Sequence, residues 1–106
     1  MHRGEIWRAE LDPPIGRRPV LLLSRDSAYE VRTSITIAPI TRTIRSIPSY
    51  IKLDHRDGMQ VNCAVDLDDI LTIPKELFIE KLAELSLERM EEVTQAIAYA
   101  LDLKLR

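Results

Sequence analysis

Only one stretch of this 106-residue chain has a clear helical period, and it comes last, which limits the possible folds more than any other feature. Ser86 is a good N-cap, and Leu87, Met90, Val93, Ile97 and Leu101 recur at three- and four-residue steps. Glu88, Glu91 and Glu92 fall where the helix dipole favours negative charge. The spacing predicts an amphipathic helix of about four turns. Everything before it reads as short strands cut by proline, glycine and polar turns. With no βαβ alternation and one late helix, the expected fold is mainly β with a C-terminal helix, a small β-barrel with that helix packed on it.

Glu5–Leu11 alternates, with Ile6 on one face and Trp7 on the other, and reads as the first strand. Trp7 could stack on a base, but packing is the simpler role for it. Asp12-Pro13-Pro14-Ile15-Gly16 cannot continue a ladder and must be a loop. Val20–Leu23 is wholly apolar and ends at Ser24-Arg25-Asp26-Ser27, the pattern of a strand covered on both faces. Ser34–Ile40 is rich in β-branched residues and reads as a third strand, ended near Pro39, Ile47–Leu53 as a fourth and Val61–Asp66 as a fifth. Leu71–Pro74 is a possible sixth. Arg25–Arg32 could form a helical turn or a loop, and Lys75–Lys81 a helical turn.

At this length residues 1–106 are expected to form one domain. Hydrophobic residues at 45% and charged residues at 30% fit a soluble protein, and no apolar run approaches a membrane span or a signal peptide. A cytoplasmic location is expected. Cys63 is the single cysteine, so neither an internal disulfide nor a zinc site of several thiolates is open to the chain, and a small buried hydrophobe is its expected role. The net charge of −2 hides an asymmetry: residues 1–52 carry +4 and residues 53–106 carry −6. A local basic site on an acidic body would give this division.

Basic residues concentrate at two strand ends. In Gly16-Arg17-Arg18-Pro19, proline pushes Arg18 toward extended geometry, so that its guanidinium is held at the mouth of a strand and suited to a planar anion such as phosphate. Arg25, just after that strand, is a further candidate for phosphate contact. Thr41-Arg42-Thr43-Ile44-Arg45 is the second cluster. Asp66, Asp68 and Asp69 invite a metal, but in a strand the first two share a face and the third points away, so a solvated edge or a helix-start cap is expected instead. His2 at a frayed start and His55 in a turn are expected to be solvated, and they are not placed as an acid–base pair.

Taken in order, Arg3-Gly4-Glu5-Ile6-Trp7, Leu11-Asp12-Pro13, Gly16-Arg17-Arg18-Pro19-Val20-Leu21-Leu22-Leu23-Ser24 and Ile37-Ala38-Pro39-Ile40-Thr41, followed by the late helix, resemble the MazF/PemK/Kid toxins of toxin–antitoxin systems nearly end to end. The resemblance implies an SH3-like barrel, a homodimer, and metal-independent, cofactor-free cleavage of single-stranded RNA at a short sequence, held in check by a cognate antitoxin. It places the catalytic arginine on Arg18 and the catalytic threonine on Thr41. Arg17, Arg25, Arg42, Thr43 and Arg45 are the candidate RNA contacts. An acidic, disordered antitoxin segment would be drawn to the same basic groove. Two departures stand out: the loop before Arg18 is short for the family, and Ile70-Leu71-Thr72 lacks the arginine that relatives often carry there.

RNA can be cut by its own 2′-hydroxyl, which asks for geometry and charge stabilisation more than a supplied nucleophile. Arg18 offers a rigid fork of donors to phosphoryl oxygens, and Thr41 can bond a phosphate oxygen or orient the hydroxyl. An arginine is a poor base, so the proton acceptor stays open. The CcdB toxins share the barrel and bind DNA gyrase without nuclease chemistry; the Arg18–Thr41 pair argues against that alternative. With aromatics at 5%, an aromatic-lined peptide groove is not expected either.

Overall fold

β1 (Glu5–Glu10) and β2 (Arg17–Leu22) pair antiparallel across the proline-rich loop, with Ile6 opposite Leu21 and Glu10 opposite Arg17. The computed structural model describes residues 1–105. A short helix α1 (Ala28–Val31) leads into β3 (Ser34–Thr41), followed by β4 (Tyr50–Leu53), β5 (Cys63–Asp66), β6 (Leu71–Pro74), β7 (Phe78–Glu84) and the closing helix α2 (Leu87–Leu101). All pairings are antiparallel, in the order β4-β5-β3-β2-β1-β7, with β6 also on β3. The eight residues of β3 make this possible: along one edge Ser34–Ile37 pairs with β6 and Ile40–Thr41 with β5, while the other edge takes β2.

Side-chain alternation splits the interior in two. Ile6, Leu21, Ala38, Ile40 and Val65 face α2 and pack with its Met90, Val93 and Ala96. Ala9, Val20, Leu22, Ile35, Ile37 and Ile73 face the other way, closed off by Trp7 and Phe78. Val20, Leu21 and Leu22 are fully buried, as expected of a strand covered on both faces. At roughly 1.5–3 kcal/mol per buried aliphatic side chain, they pin β2 and therefore the residues at its entrance. Trp7 packs edge-on to Phe78 at 6.3 Å and donates its indole N–H to Glu5 at 2.8 Å, which bears out the packing role. Cys63 is buried, and burial pushes its thiol pKa up.

Three expectations need correction. Lys75–Leu77 is a 3₁₀ turn, but Phe78–Glu84, which overlaps the expected helical turn, is a seventh strand along β1. It lies at the sheet edge, largely exposed, and its Glu80 and Lys81 are held by Arg8 and by Glu5 and Glu84, so charge interrupts the apolar alternation. In α2, Ser86 Oγ does accept from the Arg89 N–H at 3.2 Å, yet Leu87 and Leu101 are exposed; the buried stripe runs through Met90, Val93 and Ala96. His2 is exposed, as expected, but not frayed, since its ring lies 3.0 Å from the buried Glu5 carboxylate. No helix among the described residues is long and apolar enough to cross a membrane.

Candidate active site

The β2–β3 register brings the two principal candidates together. The β2–β3 ladder ends at Val20–Pro39, and carrying its register two residues past that end sets Arg18 level with Thr41 on the same face. Both side chains line a cleft of about 640 Å³, with Thr43, Arg45, Tyr50, Leu11, Ile15 and Leu71. Arg18 makes no ion pair among the described residues, and its Nε is buried with no hydrogen-bond partner. A protein seldom tolerates that, because an orphaned buried donor costs about 1–3 kcal/mol. Thr41 Oγ1 accepts the Thr43 N–H at 3.0 Å, which holds the side chain while leaving its own O–H to donate elsewhere.

The opposite wall is acidic. Tyr50 faces Asp66 across the β4–β5 ladder and donates its hydroxyl to Asp66 Oδ2 at 3.1 Å, with Arg45 beside it. Burial and then this acid push the Tyr50 pKa up. Asp66 Oδ1 accepts the Asp68 N–H at 2.9 Å and caps the 3₁₀ turn Leu67–Asp69, as expected of a helix-start cap. Asp66 itself is buried, and Ser49 ties Asp68 down at 2.7 Å. A hydrogen bond to Asp66, then desolvation and the charges of Asp66 and Asp68, push the Asp69 carboxyl up to about 6. All three acids line the cleft with Arg18, a placement the sequence reading missed.

The remaining candidates divide. Thr43 and Arg45 line the cleft. Arg17, next to Arg18 in an extended strand, projects from the other face and pairs with Glu10 at 3.3 Å, outside the cleft. Arg25 lies beyond the far end of β2, its Nε donating to Ser27 at 3.1 Å, and is also outside. Arg42 lines a separate cleft of about 270 Å³ with Arg8, Met59 and Leu82, and only Thr41 touches both. As for metals, the group of ligand types among the described residues that comes within reach of one point is His2, Glu5 and Glu84, not the three aspartates. Lys81 already places its ammonium 3.3 Å from Glu5 and 3.2 Å from Glu84, supplying the positive charge there.

Comparison with known proteins gives the family of the fold that carries this cleft. Residues 2–101 match the family described as the PemK-like, MazF-like toxin of type II toxin–antitoxin systems. "Probable endoribonuclease MazF5" of Mycobacterium tuberculosis is 36% identical over 101 residues, covering 94% of this chain and 92% of that protein. Endoribonuclease EndoA of Bacillus subtilis is 29% identical over 109 residues, covering 95% and 94%. Among solved structures, the M. tuberculosis toxin MazF-mt6 superposes with a TM-score of 0.88 at 30% identity, covering 95% of this chain and 99% of that one. An endoribonuclease from Mycobacterial species, solved in complex with its cognate antitoxin, superposes at 0.87 with 25% identity, covering 100% and 99%. The chain belongs to the PemK/MazF family of type II toxin–antitoxin toxins.

Proposed function

We propose that this chain is an endoribonuclease toxin that cuts single-stranded RNA at a short sequence without a metal ion. The 2′-oxygen forms a bond to the adjacent phosphorus, the bond from phosphorus to the 5′-oxygen breaks, and the products are a 2′,3′-cyclic phosphate and a 5′-hydroxyl. The observation that carries the reading is the Arg18 guanidinium, its Nε unpartnered, sharing a cleft with Thr41 at the mouth of a strand whose Val20, Leu21 and Leu22 are fully buried. Arg18 stabilises the charge that grows on the phosphoryl oxygens, and Thr41 donates to one of them. The 2′-hydroxyl proton needs an acceptor, and Asp69, with a carboxyl titrating at about 6 in the same cleft, is the group best poised to take it. The leaving 5′-oxygen takes a proton from solvent water, and Asp69 returns the one it accepted to solvent, so that the products are neutral at both ends of the transfer. That the matched relatives are named endoribonucleases favours this over gyrase binding.

The partners follow from the family and the charges. A cognate antitoxin with an acidic segment would compete with RNA for the same cleft, a homodimer would extend the surface available to RNA, and the cytoplasm is where both substrates and antitoxin would be met. The test is cleavage of a short RNA carrying a site mapped by end-sequencing total RNA. Arg18→Ala should lower turnover by roughly two to three orders of magnitude with a much smaller loss of binding, and Arg18→Lys should restore only part. Chelator should change nothing, and a 2′-deoxy substitution at the cut should make the RNA inert. Full activity in Arg18→Ala, or cutting of the 2′-deoxy substrate, would refute the mechanism.

A further inference from the structure

Three carboxylates line the cleft with Arg18, and the fold does not treat them alike. Two consecutive residues at the entrance to β4 each give a hydroxyl to one of them. Ser49, fully buried, donates to Asp68 Oδ2 at 2.7 Å, and Tyr50, half-buried, donates to Asp66 Oδ2 at 3.1 Å. Asp66 also accepts the Asp68 N–H at its other oxygen, at 2.9 Å. Neither hydroxyl is spent on Asp69, which is exposed.

These bonds decide where a proton lies. Asp66 and Asp69 are hydrogen-bonded to each other, which requires one proton between the two carboxyl groups. Asp66 already accepts at both oxygens, so Asp69 carries that proton and donates it. The other charged groups of the cleft are Asp68 on the same turn, Arg18 of β2 and Arg45 from the loop before β4. α2 packs on the turn through Leu67, clustered with Val93 and Ala96, and contributes no residue to the cleft lining.

We propose that Tyr50 is a positioning residue for the proton transfer: its hydroxyl, held on Asp66 Oδ2, keeps Asp66 the accepting member of the pair and leaves Asp69 the member that takes and gives up the proton. The proposal rests on the endoribonuclease reading, in which Asp69 accepts the proton of the 2′-hydroxyl. Tyr50 lines the cleft and could touch RNA directly, an alternative that the test separates.

Tyr50→Phe keeps the ring and removes only the donor. Two titrations are followed, carboxyl-carbon NMR of the free protein, with the Asp69 signal assigned by its loss in Asp69→Asn, and the pH profile of kcat on the mapped RNA. In the wild type both should show a midpoint near 6. In Tyr50→Phe the doubly ionised pair loses a donor, so both midpoints should rise by up to about one pH unit, and kcat at pH 6 should fall by up to about fivefold. Binding of the same RNA, made non-cleavable by a 2′-deoxy residue at the cut, should change little. Asp66→Asn removes the neighbouring charge and should move both midpoints the other way, toward the ordinary aspartate value of about 4. Lost packing alone would not give shifts of opposite sign. Midpoints unmoved in Tyr50→Phe would overturn the positioning role and leave the nuclease reading standing. An NMR midpoint that rises while the kcat limb stays in place would overturn it as well, because the limb would then belong to another group. Weaker RNA binding at every pH with both midpoints unmoved would make Tyr50 an RNA contact instead. A wild type that cuts no RNA would refute the nuclease reading and the positioning role together.

Discussion

Arg18→Met separates what Arg18 does for the reaction from what it does for the fold. The substitution keeps an unbranched stem in the cleft wall and removes the guanidinium, including the buried Nε that has no partner. Leaving such a donor unmade costs about 1–3 kcal/mol, so its removal should return stability. We take the low end, about 1 kcal/mol, because the stem changes length and Arg18 is only partly buried. In a domain of this size, a gain of that order raises the melting temperature by roughly 4–8 °C. Turnover should move in the opposite direction by roughly two to three orders of magnitude, the cost of losing one donor aimed at developing charge. The assays are thermal unfolding followed by circular dichroism, and cleavage of the mapped RNA at saturating concentration. A stabilised, inactive protein is the expected outcome, since strained or unsatisfied groups collect where a ligand is to be held. A variant that melted several degrees lower while retaining activity would refute both halves of the reasoning.

Two further outcomes follow from charges in and behind the site. Asp69 is held up at about 6 against an ordinary aspartate value of about 4, so between those values the folded state keeps a proton the unfolded chain has lost, and stability falls as pH rises through that window; Asp69→Asn should raise the melting temperature above about pH 6, with the gain gone near pH 4. If the same carboxylate takes the 2′-hydroxyl proton, kcat of the wild type should fall below about pH 6 as Asp69 is protonated in the field of Asp66, Asp68, Arg18 and Arg45, and in Asp69→Asn that acid limb should vanish along with most of the activity. Away from the cleft, Arg89 donates to both oxygens of Asp57, at 2.9 and 3.0 Å, and to the Lys52 carbonyl, pinning α2 to β4 and the turn that follows it; Arg89→Ala leaves Asp57 half-buried and unpaired and should cost about 3 kcal/mol, with Asp57→Asn in the same chain recovering part of it in a double-mutant cycle.

The sequence placed Arg18 and Thr41 at strand ends because each is fixed locally, the first by Pro19 and the buried run after it, the second by the end of a β-branched stretch. Their meeting depends on the Val20–Pro39 register, which no local pattern contains. Arg17 was a different case. Period-two alternation already put it on the face opposite Arg18, so its pairing with Glu10 outside the cleft could have been read in advance. β7 could not, because an edge strand paired on one side through Glu80 and Lys81 has the composition of a solvated helix.

The acidic wall was hidden for a stronger reason. Asp66 is a cap by its local bonds, and only the Tyr50–Asp66 pairing turns the 3₁₀ turn toward Arg18. A basic half and an acidic half of the chain suggested a basic site on an acidic body, but the fold interleaves them at the site itself, where Arg18, Thr41 and Arg45 from the first half line one cleft with Asp66, Asp68 and Asp69 from the second. That mixture suits catalysis better than a uniformly basic cleft would. A wall of arginines binds phosphate in ground and transition state alike, whereas in the proposed reaction a fork sharing its cleft with a carboxylate raised to about 6 both gathers charge at phosphorus and provides somewhere for the attacking hydroxyl's proton to go. In that proposal the cost is repulsion between the RNA backbone and Asp66, Asp68 and Asp69, which Arg18 and Arg45 in the same cleft offset.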